Sequence, residues 1–524
     1  MFNRTSLQAA AALASISLLA GCSLFSDGET DGQNKIVVGT TSAPTTLDPA
    51  AAWDNSWELY RNVFQTLLSF PTGSTTPQPD AAECKFTDAS SKVFQCDLKD
   101  GLTFSDGGKL DAQAVKHSID RIRTINVKGG PSGLLGSLDR VATNGDSTVV
   151  FHLKEPDATF PFILATPAMS IVDPEEYPAD RLREDGKLTG SGPYVLDSYQ
   201  ERVKAELSKN PNYKGFANRK NDGVTIRYFA ESEAMVDALK KKEIDATYRG
   251  LTAEEVVDLR ERKPANEGLQ LVEATGADIR YLVFNAEDAS VSKPAVRQAI
   301  AQVVDREALV GKVYQGTAEP LYSMVPKGIA GHTTEFFDRF GEPDVDKAEE
   351  ILRDANIDAP VELTFWFITD RYGSATALEF AELKRQLEAS GLFKITLKSK
   401  AWKEFQAGYQ KGQYPVFGRG WSPDFPDPDN FVAPFVGKDN VHSTPYERPE
   451  ITEQLLLSRR ESDRAAVSKQ FEKAQEILAE DVRLLPLWQG KLYVAATEEI
   501  AGGERALDPQ TVMQMWELER KASW

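Results

Sequence analysis

The chain has 524 residues, with 60 Lys or Arg against 79 Asp or Glu, and a net charge of -19 at pH 7 opposes binding to nucleic acid or to anionic lipid headgroups. A hydrophobic fraction of 41% with 26 Phe, 15 Tyr and 8 Trp excludes a disordered chain, and the length exceeds what one core supports. Two or three domains and a well-hydrated, monomeric, soluble body are expected.

Met1–Ala20 carries a single charge, Arg4, ahead of an apolar run from Leu7 to Ala20. At about fourteen residues that run is too short to span a bilayer, and with the small residues behind it residues 1–21 read as a signal peptide. Leu19-Ala20-Gly21-Cys22 resembles a bacterial lipobox, in which the cysteine thiol takes a diacylglyceryl thioether and becomes the new N-terminus. Residues 22–34 then form a lipidated Cys22 and a polar tether with a reach of roughly 20 Å. Since no later stretch offers a membrane span, lipid is the expected anchor, holding the protein outside the cytoplasm at the outer face of the cell membrane.

Lys35–Thr40, KIVVGT, has a buried-strand pattern, followed by the turn SAPTTLDPA. Trp53–Leu68 repeats apolar residues at helical spacing, and Trp53, Asp54 and Trp57 either edge a cleft or pack in the core. Cys84 and Cys96 flank a strand-turn-strand segment centred near Ser90, which places them opposite each other. In an oxidising compartment they form a disulfide worth about 3 kcal/mol in the chain-entropy account. Asp111 caps a helix over Ala112–Ile122, and Thr148–Leu153 is a strand beyond the glycine-rich loop Gly129–Gly136.

Strand patterns follow at Tyr194 onward, Val224–Phe229, Arg280–Asn285, Val361–Phe367, Ile395–Lys398 and Tyr414–Phe417. Helical patterns alternate with them at Ser232–Lys242, Pro294–Val313, Lys347–Ala355, Ala377–Leu392, from Trp402, and Glu461–Glu480, before a terminal strand pair over Leu484–Ala495. Such alternation argues an α/β architecture.

Phe417–Phe431, FGRGWSPDFPDPDNF, stands apart. Prolines 423, 426 and 428 cannot join a ladder, so the backbone after Trp421 is expected to be a fixed, irregular loop. Asp424 lies between Pro423 and Phe425, where it either caps a turn or, partly shielded, attracts an ammonium.

This segment resembles the Gly-Trp-x-x-Asp-x-x-(Asp/Glu)-Pro-x-x-Phe run of extracytoplasmic solute-binding protein family 5, the dipeptide- and oligopeptide-binding lipoproteins of ABC importers. Gly190–Tyr194, Lys209–Tyr213 and Arg280–Asn285 resemble further motifs of that family. The resemblance implies a two-lobed periplasmic-binding-protein fold of type II, cluster C, with an extra inserted subdomain. Lobe I would comprise 35–70, 185–283 and 490–524, the insertion 71–184, and lobe II 284–489. It also implies a peptide ligand, with ABC permease subunits as partners. The ligand's α-ammonium would pair with Asp424, and its backbone would pair with that of Gly420, Trp421 and Ser422. Trp402 matches a pocket-lining Trp of the oligopeptide binders, with core packing as the alternative. Those relatives carry an Arg at the position of Gly418; Arg419, one residue further on, is the candidate ligand-binding residue for the peptide carboxylate, against which stands the offset that in a strand turns a side chain to the other face.

No cofactor or metal is expected. His117, His152, His332 and His442 are not at ligand spacing and read as surface or capping residues, and no GxSxG, HExxH or SxxK motif sits in a plausible setting for catalysis. The remaining alternatives are another solute (an oligosaccharide, a nickel complex or haem) or a signalling or chaperone lipoprotein.

Overall fold

The computed structural model describes residues 34–261, 268–507 and 512–521. The signal peptide, Cys22 and nearly all of the tether lie outside the described residues. Among the described residues no helix is long and apolar enough to cross a membrane.

One mixed sheet organises the chain. In spatial order its strands are Phe393–Lys400, Val361–Ile368, Val416–Trp421, Leu269–Phe284, Leu484–Thr497, Ala246–Thr247, Lys35–Thr40, Gly223–Tyr228, Lys204–Lys209 and Tyr194–Gln200, with Ala318–Pro320 added against Leu484–Thr497. The two long central strands, Leu269–Phe284 and Leu484–Thr497, run antiparallel and belong to both halves of the sheet. Their register slips between Thr275 and Ile279, where the backbone of Gly276 lies so close to Gly490 O that a Cβ would sit 2.5 Å from it. The expected terminal strand pair is thus one unbroken strand, because residues 484–497 find partners along its whole length.

A separate antiparallel sheet is built from Ala82–Phe86, Val93–Leu98, Thr148–Leu153 and Leu138–Asn144. Cys84 and Cys96 are direct cross-strand partners and are disulfide-bonded. Helix Ala112–Ile125 accompanies this sheet; Asp111 Oδ1 accepts the N–H groups of Gln113 and Ala114, satisfying two donors that the first turn leaves open.

Three helices depart from the sequence pattern, each because a tertiary bond takes over a local one. The first covers only Trp57–Val63, since the Val63 carbonyl accepts from Gly192 N–H at 2.8 Å and Phe64 turns extended. Pro294–Val313 is broken into Pro294–Val303 and Arg306–Leu309, because Asp305 N–H donates to Gln386 Oε1 at 2.8 Å, 81 positions away, and the Asp305 side chain then caps the second piece through Ala308 N–H. Glu461–Glu480 begins only at Ser468, because Arg464 is drawn to Asp427 and to the Ser458 carbonyl.

Apolar side chains segregate into several cores. One spans Ile36 to Leu518 and takes in the separate sheet, while two others are built from residues between Ala277 and Trp488. Phe425 belongs to the first cluster although its neighbours Phe417 and Phe431 belong to another, so the loop bearing Asp424 reaches from one core into the next.

Candidate ligand site

Strand Val416–Trp421 is one residue pattern seen from two faces. A Cβ on Gly418 would strike the Phe380 ring at 2.5 Å, and one on Gly420 would collide with the Arg280 guanidinium, so both glycines leave room for groups on one face. On the other face Phe417 stacks on Tyr409, and Arg419 lies over the rings of Tyr409, at 4.8 Å, and Trp402, at 5.1 Å. Arg419 therefore points away from the Gly418 side, as strand alternation requires. On its inner edge the strand pairs with Leu269–Phe284 from Val416 to Trp421. On its outer edge pairing with Val361–Ile368 covers Val416 and Phe417 only. Gly418–Trp421 thus present a main-chain edge free of strand partners, contacted at Gly420 O by the Tyr372 hydroxyl at 3.5 Å.

The loop that follows is irregular and fixed, with short 3-10 turns at Pro428–Phe431 and Ala433–Phe435. Two ion pairs on buried carboxylates hold it: Asp427 with Arg464 at 2.7 and 2.9 Å, and Asp429 with Arg459 at 2.9 and 3.0 Å. Both are bidentate, which fixes orientation as well as position.

Asp424 is 7% exposed at the head of this loop. Asn430 orients it: the Asn430 amide donates to Oδ2 at 3.0 Å, and Asn430 Oδ1 accepts from Asp424 N–H at 2.9 Å and from Trp421 Nε1 at 3.1 Å. Trp53 Nε1, from the other end of the chain, donates to Asp424 Oδ1. Burial pushes the Asp424 carboxyl up to about 6, while the Asn430 and Trp53 hydrogen bonds act in the opposite direction. Ser422 is exposed beside it, and Trp421 is partly covered against Phe435.

Trp402 opens helix Trp402–Tyr409 and is sandwiched between guanidiniums, with Arg371 at 4.3 Å on its ring and Arg419 at 5.1 Å. His442, expected at the surface, is buried: its ring stacks on Phe435 at 5.2 Å, and burial reinforced by Arg419 holds its pKa well below the usual imidazole range. Tyr372, Arg280 and Arg371 are not singled out by the sequence, since their roles depend on contacts with residues far along the chain, whereas the partners of Asn430 lie only six and nine positions away. Trp53 was marked as a cleft-edge candidate, but its partner was not visible from its own spacing.

An α/β sheet shared by two sets of cores, with a fixed polar loop reaching between them, defines a solute-binding protein of type II architecture. The chain belongs to the bacterial extracellular solute-binding proteins of family 5, whose middle-region profile matches residues 76–443. It is 26% identical over 485 residues to a probable D,D-dipeptide-binding periplasmic protein of Escherichia coli, covering 90% of this chain and 91% of that one. It is 24% identical to di/tripeptide-binding protein 1 of Pseudomonas aeruginosa, over 88% and 90% of the two chains. In fold it resembles HbpA2 of Haemophilus parasuis, with a TM-score of 0.80 and 20% identity over 93% of this chain and 100% of that one. It also resembles the DppA binding protein of Helicobacter pylori in complex with the peptide STSA, with a TM-score of 0.76 and 22% identity over 93% and 98%. These relatives are solute-binding proteins, not enzymes.

Proposed function

We propose that this protein captures peptides outside the cytoplasm and delivers them to the permease subunits of an ABC importer. The observation that carries the proposal is the juxtaposition of the buried Asp424 carboxylate with the strand-free edge of Gly418–Trp421. A peptide laid along that edge gains main-chain hydrogen bonds that do not depend on its side chains, and Asp424 fixes its register through the α-ammonium. Burial raises the Asp424 carboxyl in spite of its hydrogen bonds, and an incoming ammonium favours its ionised form. Trp402 and Trp421 flank this edge, and Ser422 ends it.

Residues 35–70, 185–283 and 490–524 serve as one lobe with 71–184 inserted, and 284–489 as the other. The protein works as a monomer held by lipid on Cys22, a role supported by the lipobox-like Leu19–Cys22. A Cys22→Ser variant is expected to leave the membrane fraction.

Calorimetric titration of residues 35–524, stripped of carried-over ligand by unfolding and refolding, tests the binding mode. A free-amine tripeptide should bind, its N-acetylated twin should not, and Asp424→Ala should abolish the difference. Absence of heat from every peptide would overturn the assignment of ligand and favour a sugar or metal complex.

A further inference from the structure

The splay between Val361–Ile368 and Val416–Trp421 leaves a narrow void, part of it continuous with solvent, lined among others by Arg280, Tyr372, Thr376, Glu379, Gly418 and Arg419. Two guanidiniums from adjacent strands line it, Arg280 of Leu269–Phe284 and Arg419 of Val416–Trp421. Arg280 stacks on Tyr372 at 4.3 Å and on Trp488 at 5.2 Å; Arg419, 8% exposed, stacks on Trp402 and Tyr409. A third, Arg371, lies exposed nearby over Trp402 and Tyr372.

Ring stacking engages the faces of these guanidiniums and, although Arg280 Nη1 donates to the Ile279 carbonyl at 3.0 Å, leaves other donors on their edges over. Nε of Arg280 and both Nε and Nη1 of Arg419 are buried without a hydrogen-bond acceptor. No ion pair to Arg280, Arg371 or Arg419 is formed among the described residues. The one carboxyl lining the void, Glu379, already accepts from Tyr314 and from Trp488 Nε1, and burial raises its pKa. Tyr372 reports the resulting field: burial alone would raise its hydroxyl, yet Arg419, Arg280 and Arg371 together bring it below its ordinary value. Buried guanidinium donors without acceptors are unfavourable, and an anion placed between them would restore those bonds as charge-assisted pairs.

We propose that Arg280 and Arg419, with Arg371 beside them, form an anion-holding site under the open strand edge, so that the preferred ligand is a peptide bearing an acidic group in addition to its terminal carboxylate. A single terminal carboxylate leaves most of this positive charge unmatched, whereas a second carboxylate from an acidic side chain occupies the splay. This inference rests on the peptide-binding proposal above for its ligand class, but the anion site itself is defined by the arginines.

The test is titration of residues 35–524 with a neutral tripeptide and with variants carrying Glu at each position in turn, repeated on Arg280→Gln and Arg419→Gln, with thermal melts to confirm folding. At least one acidic tripeptide should bind about tenfold or more tightly than the neutral one, and either substitution should collapse that ratio towards one. In parallel, glutarate at millimolar concentration should raise the melting temperature of the unsubstituted protein beyond chloride at equal ionic strength, and Arg280→Gln should remove the difference. Binding of neutral and acidic peptides with equal affinity would overturn the acidic preference and leave peptide binding standing. Stabilisation by glutarate with no binding of any peptide would retain the anion site and overturn the peptide ligand. Neither effect would overturn both.

Discussion

At the scale of single residues, Asp424 sets affinity against stability. Its folded-state pKa of about 6 lies above the ordinary value, so the native state binds the extra proton between about pH 4 and 6 and unliganded stability falls as pH rises through that window. Above it the charge costs the empty protein about 3 kcal/mol, and Asp424→Asn should raise the melting temperature at pH 8 but not at pH 4. The same substitution should abolish recognition of the peptide ammonium. In the unsubstituted protein, peptide affinity should fall below pH 6 as Asp424 gains its proton, and fall again above about pH 8 as the α-amino group loses its own. Calorimetry across pH 4–9 checks both limbs. Asp427 behaves differently, because it is a partner and not an anchor. Asp427→Ala leaves Arg464, whose side chain is 10% exposed, buried without its carboxylate, and should cost about 3–5 kcal/mol in chemical denaturation.

Among the elements, the hairpin closed by Cys84 and Cys96 makes the sharpest case. Its bridge spans 12 positions, and reduction should lower stability by about 3 kcal/mol, read as a shift in the denaturant midpoint with and without reductant. That hairpin was legible from the sequence because everything that forms it is local: alternation, a turn and two facing cysteines. Asp111 was legible for the same reason, since a cap bonds only to residues two and three positions on. The long pattern over Glu461–Glu480 misled, because periodicity carries no record that Arg464 is claimed by Asp427, 37 positions away. Within the site, the prolines foretold a rigid loop and the strand offset foretold that Arg419 faces away from Gly418. Asn430, which holds Asp424 in place, was within reach of a local reading, six positions along. Arg280 and Tyr372 were not, since their position beside Gly420 is set by strand pairing and by a splay that sequence spacing does not encode.

For the whole molecule, distant segments touch around the loop that bears Asp424. Phe425 packs on Phe162 at 6.2 Å, Trp53 bonds Asp424, and Arg459 O accepts from Ala158 N–H at 2.8 Å. A saturating peptide should reduce the radius of gyration of the stripped protein in solution scattering, and Trp53→Phe should weaken that response; an unchanged profile would count against domain closure as the means of capture. The central pairing has a consequence for biogenesis. Leu269 lies opposite Thr497, and Leu484–Thr497 also joins Ala246–Thr247, so neither half of the main sheet is sealed until residues 484–497 are available. Such late, long-range closure makes folding slow and postpones it until after synthesis. A chain threaded through a translocation channel must stay extended while it passes, and pairing that waits on residues 484–497 favours that condition. Truncations that stop before Leu484 should accordingly remain protease-sensitive however long they are given to fold.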